Sequence, residues 1–62
     1  MSPGAVVINP QGRRFRIYTV GLGAGNQPVF RLDRLDRQPR EQRHIWRPQA
    51  EVRLSWRVES CS

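Results

Sequence analysis

Proline and glycine interrupt this chain at four places, and the pieces between the interruptions read as short strands. The first interruption, Asn9-Pro10-Gln11-Gly12, puts Asn, Pro and Gly at the first, second and fourth positions of a turn, the preference of a type I β-turn. Residues 21–27, GLGAGNQ, form a Gly-rich connection, and Gln38-Pro39 and Arg47-Pro48-Gln49 break the later half. At 62 residues there is room for one domain with one small core. Residues 1–59 are assigned to it, with 60–62 as a frayed C-terminal tail.

Within the pieces, side chains alternate. Over 14–20, Phe15, Ile17 and Thr19 take one face while Arg14, Arg16 and Tyr18 take the other. Over 51–59, Val52, Leu54, Trp56 and Val58 oppose Glu51, Arg53, Ser55, Arg57 and Glu59, which predicts a half-buried strand with Trp56 in the core. A third strand covers Pro28 to Leu35 with Phe30 and Leu32 inward, Ala5 to Ile8 makes a short first strand, and residues 42–47, QRHIWR, are the candidate for a fifth. Trp46, between Ile45 and Arg47, reads as core or as a partly exposed anchor.

A helix over 31–47 would gain Asp33 with Arg37 and Asp36 with Arg40 at i,i+4. Pro39 breaks it, because proline lacks the amide donor and pushes Gln38 out of the α region. Leu32, Leu35, Ile45 and Trp46 also form no apolar stripe. One short helical turn within 37–45 stays open.

Five short strands in so small a chain predict a mostly β fold, a strongly bent antiparallel barrel whose closure removes exposed edges. Gly4-Ala5-Val6-Val7-Ile8-Asn9-Pro10-Gln11-Gly12-Arg13 is an apolar strand, a Pro/Gly turn and the start of a basic strand. In this it resembles the SH3-like barrels, which include the KOW, Tudor and Sm-like families. The resemblance implies a five-stranded SH3-like barrel over about fifty residues. A KOW pattern has a second glycine soon after Gly12, and Arg13-Arg14-Phe15-Arg16 has none, so no binding residue is carried over.

All eleven basic side chains are arginine and none is lysine, against five acids, for a net charge of +6. A GC-rich genome would favour arginine codons by itself. Even so, self-repulsion at this charge calls for an anionic partner, and the guanidinium fork bonds phosphate bidentately and stacks on bases. Arginines recur at every third position from Arg31 to Arg43, a spacing that matches neither a strand nor a helix. Residues 31–47 hold six arginines and three acids, and exposed ion pairs worth ~0 to 1 kcal/mol need not tie them down. If about five arginines met B-DNA phosphates, log affinity would fall with log salt at a slope of about −4.5.

These features predict a small nucleic-acid-binding module, for DNA or RNA, that contacts phosphates with little sequence specificity, since no recognition helix is evident. The candidate contacts are Arg13, Arg14, Arg16, Arg34, Arg37, Arg40 and Arg43, with Tyr18 stacking on an unpaired base. The alternative is an adaptor or inhibitor that docks the acidic surface of a partner protein, with Trp46 as the buried anchor. A homo-oligomeric assembly is a third possibility, because unpaired strand edges invite association.

Other chemistries are poorly supplied. The run Gly21-Leu22-Gly23-Ala24-Gly25 is a hairpin loop rather than a dinucleotide fingerprint, since Asn26-Gln27-Pro28 leads into a strand. His44 is the one histidine and Cys61 the one cysteine, so no catalytic set, metal set, intramolecular disulfide or cofactor site is expected. The opening MSPGAVVINPQ lacks a basic segment and a long apolar run, which predicts cytoplasmic residence and no membrane partner.

Overall fold

The Asn9–Gly12 turn forms as its residues dictate. Gly12 donates its amide to the Asn9 carbonyl at 2.9 Å and adopts φ +84°, where a side chain would strain the backbone. Asn9 Oδ1 accepts from the Gln11 and Arg13 amides at 3.0 and 2.7 Å, so one side chain organises the turn. It joins β1 (Val6–Ile8) to β2 (Arg14–Leu22). The computed structural model describes residues 2–60; Cys61 and the rest of the predicted tail lie outside them, while Ser60 ends a strand.

The Gly-rich connection is a hairpin loop closed by a short 3-10 turn, and it leads into β3 (Pro28–Arg34). Next come β4 (His44–Pro48), α1 (Gln49–Ser55) and β5 (Arg57–Ser60). The five strands form one antiparallel sheet in the order β4-β3-β2-β1-β5. Among the described residues no pairing joins β4 to β5, so the sheet is not closed. No helix among these residues is long and apolar enough to cross a membrane.

The strand predicted over 51–59 is largely replaced by α1 and β5. Gln49, Ala50, Glu51, Arg53 and Leu54 are good helix formers, Pro48 stands at the N-cap, and Glu51 in the first turn with Arg53 in the last complements the helix dipole. Val52 and Trp56, four residues apart, are the buried pair, whereas Leu54 is 86% and Val58 43% exposed. The period-two alternation concealed this i,i+4 signal. The helical turn left open within 37–45 does not form: Glu41 donates its amide to the Gln38 carbonyl at 3.1 Å in a β-turn, with Arg40 at φ 77°.

One face of the sheet and α1 enclose the core: Ala5, Val7, Phe15, Ile17, Phe30, Leu32, Val52 and Trp56, with Ile45 packed against them. The Phe15 and Trp56 rings lie 5.1 Å apart at 46°, an aromatic pair worth ~0.5 to 1.5 kcal/mol beyond its burial. The predicted inward positions of Phe15, Ile17, Phe30, Leu32, Val52 and Trp56 therefore stand.

Candidate nucleic-acid interface

Register places a second set of side chains on the opposite, uncovered face. Arg16 pairs with Asp33 and Asp33 with His44, giving one row across β2, β3 and β4. Arg31 pairs with Thr19 on one side and Trp46 on the other, giving the next. A register shift between Ile17 and Thr19 leaves Tyr18 as an extra residue, so both Tyr18 and Thr19 stand opposite Arg31. The bulge thereby moves Thr19 off the core face predicted by strict alternation.

The result is a surface of alternating rings and guanidinium. The Arg31 guanidinium carbon lies 4.4 Å from the centre of the Tyr18 ring, within cation–π range. The His44 ring is 6.4 Å from Tyr18, and His44 Nδ1 hydrogen-bonds Asp33 Oδ1. Trp46 reaches across Gly21, where a Cβ would stand 3.4 Å from the indole. Tyr18 is 57% and Trp46 52% exposed, so each ring keeps open surface beside its contact with Arg31 or Gly21. Trp46 is thus the partly exposed residue of the two readings and not a core residue.

The predicted phosphate contacts separate into groups. Arg13 is committed: its Nη1 and Nη2 donate to both Glu41 oxygens at 3.0 and 2.7 Å, and its Nε to Asp36 at 3.2 Å. Glu41 first and Asp36 second push the Arg13 guanidinium above its ordinary range, and Arg13 with the Gln38 amide lowers the Glu41 carboxyl to about 2. Arg14 is likewise held by Glu59 through two hydrogen bonds at 2.8 and 2.5 Å, which raises its pKa. Arg34, three residues from Arg31, falls on the opposite face of β3, with its guanidinium carbon 5.6 Å from the centre of the Phe15 ring.

Arg16 stays on the uncovered face, and Arg37, Arg40 and Arg43 are exposed on the β3–β4 connection. That connection is anchored by the Arg13 pairs, by the Leu35 amide donating to Arg14 O at 3.1 Å, and by the Arg34 amide donating to Arg43 O at 2.8 Å. All five acids are engaged: Asp36 and Glu41 with Arg13, Glu59 with Arg14, Asp33 with His44, and Glu51 3.8 Å from Arg47. Among the described residues Arg16, Arg31, Arg37, Arg40, Arg43, Arg53 and Arg57 have no ion-pair partner, and they carry the uncompensated charge.

Sequence reasoning left Arg31, Asp33 and His44 out of the site. The alternation of β3 would have placed Arg31 and Asp33 together opposite Leu32, but nothing local matched them to Tyr18 or His44. Among the described residues no group of His, Cys, Asp and Glu could hold a metal ion. The chain matches no protein-family model, and no curated protein or solved structure resembles it at a significant level.

Proposed function

We propose that this chain is a small non-enzymatic module that binds single-stranded nucleic acid with little sequence specificity, its bases stacking on the uncovered sheet face. The observation that carries the reading is Arg31 lying over Tyr18, with Trp46 beside it and both rings more than half exposed. Every base has a π-face, so such a platform is sequence-tolerant, and base–aromatic stacking is worth ~1 to 3 kcal/mol per base. Arg16 on the same face and Arg37, Arg40 and Arg43 on the adjoining connection supply phosphate contacts, their charge unmatched by any acid.

The architecture in this reading is a strongly bent SH3-like barrel. Its support is the order β4-β3-β2-β1-β5, a nine-residue β2 that pairs with both β1 and β3, and a bulge at its middle. Cytoplasmic residence belongs to the same reading.

Docking to an acidic partner protein is the second reading, and it is favoured by Leu22 and Val20, apolar side chains 72% and 44% exposed on the face of β2 opposite Trp46. Association of two copies through the open edges β4 and β5 would accompany either. Fluorescence anisotropy with labelled random-sequence single strands and duplexes tests the reading. It expects binding at low salt, tighter to single strands, that weakens in Tyr18→Ala. Absence of binding to every probe at low salt overturns it.

A further inference from the structure

On the other face of the sheet the arginine repeat supplies a second feature. Between β4, α1 and the Asn9–Gly12 turn lies a pocket of about 310 Å³, in the size range of small-ligand sites. Phe15, Ile45 and Trp56 give it an apolar wall, and Arg34, Arg47 and Glu51 are its charged lining. Two cations against one acid make the interior suit an anion.

Arg34 is the group that calls for one. Its Nε and Nη1 have no hydrogen-bond partner and no exposed surface, while its side chain as a whole is 20% exposed. The nearest acid does not satisfy it: Glu41 Oε2 is 3.8 Å from Arg34 Nε, and both Glu41 oxygens already accept from Arg13. Glu51 stands 3.8 Å from Arg47 Nε, on Arg47's side of the pocket. Unmet guanidinium donors lower stability, and an anion drawn against the exposed part of the Arg34 side chain offsets its uncompensated charge. The aromatic wall meanwhile suits a flat apolar body rather than a bare ion.

We infer that this pocket binds a small planar ligand carrying a carboxylate or phosphate, with Arg34 holding the anionic head and Phe15 and Trp56 packing its body. The site lies on the face away from Tyr18 and Trp46, and it stands or falls independently of the nucleic-acid reading.

Titration of the ¹⁵N-labelled chain with benzoate, uridine monophosphate and inorganic phosphate tests it, following the Arg34 Nε–H and Trp56 indole resonances. Concentrations run to about 10 mM, enough to saturate a site with a Kd of about 1 mM. The expected result is saturable shifts of both resonances with benzoate, uridine monophosphate or both, the successful arm identifying the head group. Inorganic phosphate, lacking a body, binds at least about tenfold more weakly. Arg34→Gln abolishes the response, and Ser55→Leu, which fills the pocket lining while keeping Arg34, weakens it about tenfold or more. The Ser55 variant serves alone should Arg34→Gln not fold. Lack of any saturable shift, an undiminished response in Ser55→Leu, or shifts confined to Tyr18 and Trp46 would overturn the assignment.

Discussion

The Arg31 guanidinium and the Tyr18 ring meet at 4.4 Å because a bulge in β2 places Tyr18 opposite Arg31 on the uncovered face. An arginine held in this way keeps its charge while its plane and the ring are pre-ordered. Less rotamer freedom is then lost on binding.

Stacking predicts that Tyr18→Ala and Trp46→Ala each weaken single-strand binding by ~1 to 3 kcal/mol, roughly five- to 150-fold. Both rings are more than half exposed, so the folded fraction in circular dichroism should hardly change. Equal loss of duplex binding would point instead to charge alone.

The salt dependence separates free from committed arginines. With Arg16, Arg37, Arg40 and Arg43 on a single strand, log affinity should fall with log salt at a slope of about −3, and each Arg→Ala change among them should flatten it by about 0.7. Arg14→Ala should leave the slope nearly unchanged, because Glu59 already neutralises that residue. A slope change of similar size for Arg14 would contradict the division.

Protonation of Glu41 should loosen the β3–β4 connection. Its pKa is lowered on folding from the ordinary value near 4.5 to about 2, so the unfolded chain binds the proton more readily between those values. Stability from this group is therefore complete above about pH 4.5 and is lost as pH falls toward 2. Urea denaturation across this window should show a shallower pH dependence in Glu41→Gln than in the parent chain. Identical curves would remove the Arg13–Glu41 clamp from the account.

The helix at 49–55 makes unequal demands on two apolar residues. Val52→Ala should cost about 2 kcal/mol from lost burial and a residual cavity, whereas Leu54→Ala should stay within about 0.5 kcal/mol. Their exposures, 0% and 86%, are the reason. A strand with both residues inward would make the two losses comparable in chemical denaturation.

The Asn9 side chain organises its turn through the Gln11 and Arg13 amides. Asn9→Ala removes both acceptors and should lower stability by ~1 to 2 kcal/mol, whereas Asn9→Asp, which keeps an acceptor oxygen, should retain most of it. Thermal unfolding of the two variants measures the difference.

Much of the fold was legible because it is written in short range. The Asn-Pro-Gln-Gly turn, the inward Phe15 and Ile17, and the span of β3 follow from backbone preference and alternation over a few residues. The helix was missed where two local periods overlapped, since Val52 and Trp56 satisfy both a spacing of two and a spacing of four. The repeat of three in the arginines had no structural meaning of its own. In a strand it sends Arg31 and Arg34 to opposite faces, so one run serves two surfaces.

By itself, then, the sequence determined a small basic β-rich chain with more arginine than its acids can neutralise. Which arginines stay free was decided only by tertiary structure. Arg13 meets Glu41 across 28 positions and Arg14 meets Glu59 across 45, while Tyr18 reaches Arg31 through a bulge that alternation does not predict. Charges are local properties of residues, but their compensation depends on distance in space, and that is fixed by strand order and register.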